Sequence, residues 1–124
     1  MKIAIAGSGA MGSRFGYMLH QAGNQVTLID LWSEHIATIN TKGLSIETAG
    51  KQQFVKIPAA FPEDVNDDFD LVLLFTKATQ LNDMLNKISH LLTDNTAVLC
   101  LSNGIGNLET IKKFNPHLDL LVGT

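Results

Sequence analysis

Apolar residues fall along this chain as short unbroken runs separated by spaced stripes. Residues Lys2–Ala6 form a run that ends at Gly7 and predicts a buried strand. Met11, Phe15, Met18, Leu19 and Ala22 then recur at helical spacing, predicting one apolar helix face stopped by Gly23-Asn24. Residues 26–29 predict a second buried strand, ending at Asp30. Ser33 is the expected N-cap of a short helix that carries Ile36 and Ile39 and stops at Gly43. Residues Leu44–Thr48 alternate, Ala49-Gly50 turn the chain, and residues 53–57 return before Pro58, the pattern of a hairpin.

The second half repeats the alternation. Residues 63–70 hold five acids and read as a solvated connection. The most hydrophobic run, 71–75, should form a central strand covered on both faces. Leu81, Met84, Leu85, Ile88 and Leu91 give another helical face, and 97–101 another buried strand. Asn107 is the expected cap of a helix with Glu109 in its first turn and Lys112 and Lys113 in its last, the charge order that suits the helix dipole. After Pro116, residues 118–122 predict a last strand. Strands alternating with helices imply an α/β domain over residues 1–124, a doubly wound parallel sheet with right-handed crossovers and a small hairpin insertion.

Composition narrows the function. A chain of 124 residues is one domain, large enough to bury a real core. With a net charge of −3 and Arg14 as its single arginine, it lacks the basic stripe that nucleic acid requires. Its longest apolar runs are five residues, far short of the ~20 that span a bilayer, so no membrane partner is expected. Gly7, Gly9 and Gly12 interrupt any signal-peptide core behind Lys2. The lone Cys100 excludes an internal disulfide and fits a reduced, cytoplasmic setting. His20, His35, His90 and His117 have no partners at ligand spacing, so no metal site is expected.

The candidate chemistry lies at strand ends. Gly7-Ser8-Gly9-Ala10-Met11-Gly12 is a G-x-G-x-x-G string between a predicted strand and a predicted helix, the context of a Rossmann dinucleotide site. Gly7 would permit the tight turn, Gly9 the approach of a pyrophosphate, and Gly12 close helix–strand packing. Amides at the helix start would then face the phosphates. Asp30 lies 18 residues after Gly12, matching the acid about 20 residues on that binds an adenosine ribose. No lysine or arginine stands between Asp30 and Lys42 to neutralise a 2′-phosphate. A carboxylate about 4 Å from that phosphate would repel it by up to roughly 4 kcal/mol. The residues therefore favour NAD(H) over NADP(H). Lys77 follows the central strand, where spacing alone does not separate a ligand lysine from a solvated one. Asn103 sits among glycines after the next strand, a loop suited to close ligand approach but explained almost as well by turn glycines before a helix cap.

Together these stretches resemble the N-terminal domain of the ketopantoate reductase (2-dehydropantoate 2-reductase) family. The likeness covers K-I-A-I-A-G-S-G-A-M-G at the start, L-F-T-K-A, L-S-N-G-I-G-N, and the closing L-L-V-G-T. It implies that residues 7–12 bind the cofactor pyrophosphate, that Lys77 contacts the cofactor near its reacting end, and that Asn103 touches both the nicotinamide ribose and the substrate. Most of the family resembles one another in using NADPH, with a basic residue just after the second strand. Asp30-Leu31-Trp32 here looks more like the NAD-dependent branch that includes D-mandelate dehydrogenases.

The resemblance implies hydride transfer from a reduced nicotinamide to a small-molecule 2-keto acid, 2-dehydropantoate first, giving a D-2-hydroxy acid such as pantoate. It also implies a further all-helical domain that supplies the proton-donor lysine and a homodimer interface. These 124 residues are accordingly expected to be a fragment of a two-domain enzyme, with no catalytic residue of their own. A D-mandelate-type dehydrogenase and a non-catalytic NAD(H)-sensing domain are the alternatives.

Overall fold

The strands and helices follow one another in a computed structural model that describes residues 1–7, 9–76, 78–100 and 119–122. The order is β1 (Lys2–Ala6), α1 (Ala10–Gln21), β2 (Gln25–Ile29), α2 (Ser33–Lys42), β3 (Leu44–Thr48), β4 (Lys51–Val55), β5 (Ala59–Ala60), β6 (Leu71–Leu74), α3 (Ala78–Ile88), β7 (Ala97–Cys100) and β8 (Asp119–Val122). Six strands form one sheet in the order β5-β2-β1-β6-β7-β8, and every pairing is parallel. The hairpin β3–β4 stands apart as a second, antiparallel sheet.

Alternation along the strands explains the two layers. Ala4, Ala6, Val72, Leu74, Val98 and Cys100 point to one face and pack with Leu81, Met84, Leu85 and Ile88 of α3. Ile3, Ile5, Val26, Leu28 and Leu73 point to the other, under Ile36 and Ile39 of α2. Strand β6 lies inside the sheet between β1 and β7, as its unbroken apolar run requires. The acidic stretch 63–70 is solvated at its carboxylates; Asp70 accepts the Lys2 amide at 2.8 Å.

The structure differs from the sequence reading in four places. Helix α1 does not pack through Met11 and Met18, which are 59% and 56% exposed. It packs through Gly12 and Gly16, both buried, with Phe15 and Leu19 half-buried beside them. A Cβ on Gly16 would meet Leu28 Cδ2 at 2.9 Å, so the missing side chains set how closely the helix lies on the sheet. Ser33 is the first helical residue of α2 rather than its cap; Trp32 holds the cap position, with no side-chain hydrogen bond. The returning hairpin strand is 51–55, two residues earlier than expected. Ala49 and Gly50 both adopt positive φ (54° and 77°), a two-residue turn that pairs Thr48 directly with Lys51. The predicted helix from Asn107 lies outside the described residues.

The fourth difference is β5, absent from the sequence reading because two alanines carry no periodicity. It pairs with β2 on one side. On the other, the Asn40 side chain takes the place of a strand: its Nδ2 donates to Ala59 O at 2.7 Å, and its Oδ1 accepts from Ala59 N at 2.9 Å. Asn40→Ala is expected to leave both backbone groups without that partner and to cost about 1–3 kcal/mol. Chemical denaturation of the variant checks this, and an unchanged midpoint would show that water replaces the amide.

Candidate functional site

The strand order β5-β2-β1-β6-β7-β8 is the 3-2-1-4-5-6 order of doubly wound sheets, in which ligands bind outside the strand C-termini where the order reverses. That reversal falls between β1 and β6. The loops after β1, β2 and β6 meet there around a cleft of about 550 Å³ whose walls include Gly7, Gly9, Asp30, Trp32, Thr76 and Met84.

Each wall has a local cause. Gly7 ends β1 with φ +92° while its amide still donates to Ile29 O at 2.9 Å, holding the turn to β2. A Cβ at Gly7 would lie 3.0 Å from the Thr76 amide nitrogen, so only glycine lets the loops after β1 and β6 come together. Thr76 is buried and donates from Oγ1 to Ala6 O at 3.4 Å, tying the end of β6 to β1. Gly12 is in closer contact still: a Cβ there would overlap the Gly7 carbonyl oxygen and sit 3.3 Å from Ile5 Cγ2. Gly9, the N-cap of α1, is the opposite case. It is exposed, and nothing lies within 4 Å of where its Cβ would be.

The space above Gly9 adjoins the start of α1, whose first turn carries no acid. The first amides of α1, which have no partner within the helix, and the positive end of the helix dipole therefore face an open cradle without a competing carboxylate, which fits a pyrophosphate. Asp30 stands across the cleft after β2. Its Oδ1 accepts the Leu31 amide at 2.7 Å, and its Oδ2 lies 3.9 Å from His35 Nε2. The His35 ring stacks on Trp32 with centroids 5.8 Å apart and planes at 17°.

The described residues thus bring Gly7, Gly9 and Asp30 to one cleft, with Gly12 buried behind it against Gly7. Met11 is exposed on the first turn of α1, and Ala10 opens that helix. Ser8, Lys77 and Asn103 lie outside the described residues. The sequence reading missed Thr76, Trp32 and His35; an imidazole in the first turn of the helix that follows the acid was the available signal for the last two. A larger groove of about 950 Å³ runs between α1, α2 and the hairpin. It meets the cleft at Gly9 but is not lined by the C-terminus of any strand of the six-stranded sheet, so the smaller cleft is the better candidate. Among the described residues, no group of three or more His, Cys, Asp or Glu side chains could hold a metal ion, and no helix is long and apolar enough to cross a membrane.

Comparison with known proteins agrees with this geometry. Residues 3–124 match the model of the family described as ketopantoate reductase PanE/ApbA. The chain is 45% identical over 125 residues to a 2-dehydropantoate 2-reductase of Lactococcus lactis, covering 99% of this chain and 40% of that one. Among solved structures it is similar to D-mandelate dehydrogenase in ternary complex with NADH and anilino(oxo)acetate, with 52% identity and a TM-score of 0.95 over 100% of this chain and 40% of that one. It is also similar to a PanE/ApbA family ketopantoate reductase of Ralstonia eutropha, at 34% identity and a TM-score of 0.84 over 98% of this chain and 40% of that one. The chain therefore spans 40% of the length of these relatives. With a family match running from the first strand to the last residue, the chain belongs to the ketopantoate reductase family.

Proposed function

We propose that residues 1–124 are the dinucleotide-binding domain of a nicotinamide-dependent reductase that converts a 2-keto acid, 2-dehydropantoate foremost, into the D-2-hydroxy acid pantoate. The observation that carries this reading is the open cradle at Gly9, set at the start of α1 and across one cleft from Asp30. The relatives named above support the substrate. Bound there, a reduced nicotinamide supplies the hydride. This chain's own part is to bind and orient it. Amides over residues 7–12 hold the pyrophosphate, and Asp30 accepts hydrogen bonds from the adenosine ribose. Lys77 and Asn103 belong to the same proposal, Lys77 at the reacting end of the cofactor and Asn103 between nicotinamide ribose and substrate. A homodimer formed outside these residues, and a cytoplasmic setting for the buried Cys100 thiol, complete it.

Asp30 supports NAD(H) as the cofactor, because an acid after β2 that receives the adenosine ribose would repel a 2′-phosphate on it. NADH is expected to bind at least tenfold more tightly than NADPH, a difference of about 1.4 kcal/mol. Asp30→Ala should shrink that preference from both directions, weakening NADH and easing the repulsion of NADPH. Fluorescence titration of both cofactors checks the pair of statements. Equal affinities in the unmodified chain would reject the cofactor assignment, and an unaltered preference in the variant would leave Asp30 a turn residue. A D-mandelate-type dehydrogenase is the second reading, favoured by the Asp30-Leu31-Trp32 sequence and by the 52% identity to D-mandelate dehydrogenase.

A further inference from the structure

We infer that His35 is a selectivity-determining residue for the cofactor: when protonated it neutralises the Asp30 carboxylate and narrows the preference for NAD over NADP. The inference rests on Asp30 receiving the adenosine ribose, as proposed above. It begins from the position of the ring. His35 lies in the first turn of α2, its Nε2 is 3.9 Å from Asp30 Oδ2, and its plane is stacked on Trp32. The stack holds the plane of the ring beside the carboxylate. Both side chains of the pair keep solvent access, with 28% of His35 and 21% of Asp30 exposed. A proton can therefore reach the imidazole without any opening of the fold.

With the ring neutral, Asp30 presents a full negative charge to whatever lies beyond the ribose. That charge suits a 2′,3′-diol, which donates hydrogen bonds, and opposes a phosphate. With the ring protonated, the pair is close to neutral, and a cation stands near the position of the 2′-phosphate. The neighbouring charges do not imitate this change. Arg14 and Tyr17 of α1 and Glu47 of β3 share the adjoining groove with His35, and Glu34 precedes it on α2. Of these side-chain types, only an imidazole ordinarily exchanges its proton between about pH 5 and 8. A unit charge about 4 Å away in water-like surroundings is worth about 1 kcal/mol, a factor of about five in affinity.

The experiment measures NAD⁺ and NADP⁺ affinities, both oxidised forms surviving mild acid, at about pH 8 and about pH 5.5. Trp32 is the single tryptophan, so quenching of its emission reports binding directly. A 2′-phosphate itself takes up a proton near about pH 6, so the quantity of interest is the difference between the unmodified chain and His35→Gln. The preference for NAD⁺ is expected to narrow about fivefold more in the unmodified chain than in the variant. His35→Asn should behave like His35→Gln, and circular dichroism establishes that each is folded. Equal narrowing in all three proteins would overturn the inference. Asp30→Asn separates this from failure of the ribose reading. If that variant loses the preference at pH 8 while His35 has no effect, the role of His35 alone is rejected. If Asp30→Asn leaves the preference intact, the ribose reading falls and takes the inference with it.

Discussion

Gly9→Ala is expected to melt at the temperature of the unmodified chain and to lose at least tenfold in NADH affinity, whereas Gly12→Ala is expected to lose both stability and binding. The two glycines are three residues apart and face opposite surroundings. At Gly9 the backbone is already in a conformation open to any residue, with φ −69° and ψ −166°, and an added methyl meets no atom of the protein. It meets the ligand instead, since that open volume is the cradle proposed for the pyrophosphate. At Gly12 the methyl overlaps the Gly7 carbonyl oxygen, a backbone atom at the end of β1 that cannot swing aside as a flexible side chain would. Helix α1 must then lift from the sheet. A cost of about 3 kcal/mol corresponds to roughly 10 °C in Tm for a domain of this size. Calorimetry and NADH titration of both variants give the result. Unchanged binding in a folded Gly9→Ala protein would move the pyrophosphate elsewhere.

The 124-residue polypeptide is expected to bind NADH and to show no steady reduction of 2-dehydropantoate or phenylglyoxylate. Reducing a ketone requires a proton donor at the developing alkoxide and a cation for the substrate carboxylate, in a site shielded from water. Asp30 is the charged side chain that the cleft walls contain among the described residues, and it has the wrong sign for both tasks. Arg14 lies in the neighbouring groove, Lys2 opens β1, Lys51 is on the hairpin with Lys56 exposed just after it, and Lys42 and Lys87 lie in the last turns of their helices. Lys77 is assigned to the cofactor. Absorbance of the reduced cofactor follows the reaction. Turnover near the rate of a full-length relative such as the Lactococcus lactis enzyme would show that a catalytic group has been misplaced.

Most of the sheet was legible because its strands are buried on both faces and therefore written as unbroken apolar runs. The glycine string was legible for a related reason, since Gly7 and Gly12 each stand where backbone meets backbone. What stayed hidden is instructive in physical terms. Beyond Gly12, the packing face of α1 is made of absence: Gly16 carries no side chain for a periodicity to register, while the visible methionines are left in solvent. Strand β5 is two residues long, and its position depends on Asn40, nineteen residues earlier in the chain. The Asp30–His35–Trp32 arrangement joins a loop to a helix face, so spacing after the glycine string named the acid, and only an imidazole in the first turn of the next helix pointed to its neighbours.

The side-chain amide of Asn40 also has a consequence for association between molecules. A strand at the border of a sheet ordinarily offers its outward backbone groups to any passing chain, the starting point of aggregation and strand exchange. At β5 the outward donor and acceptor of Ala59 are both engaged by one amide from α2. A foreign strand would have to displace that amide and would find only two residues to pair with. On this side, the sheet is closed to growth by a residue that is not part of it.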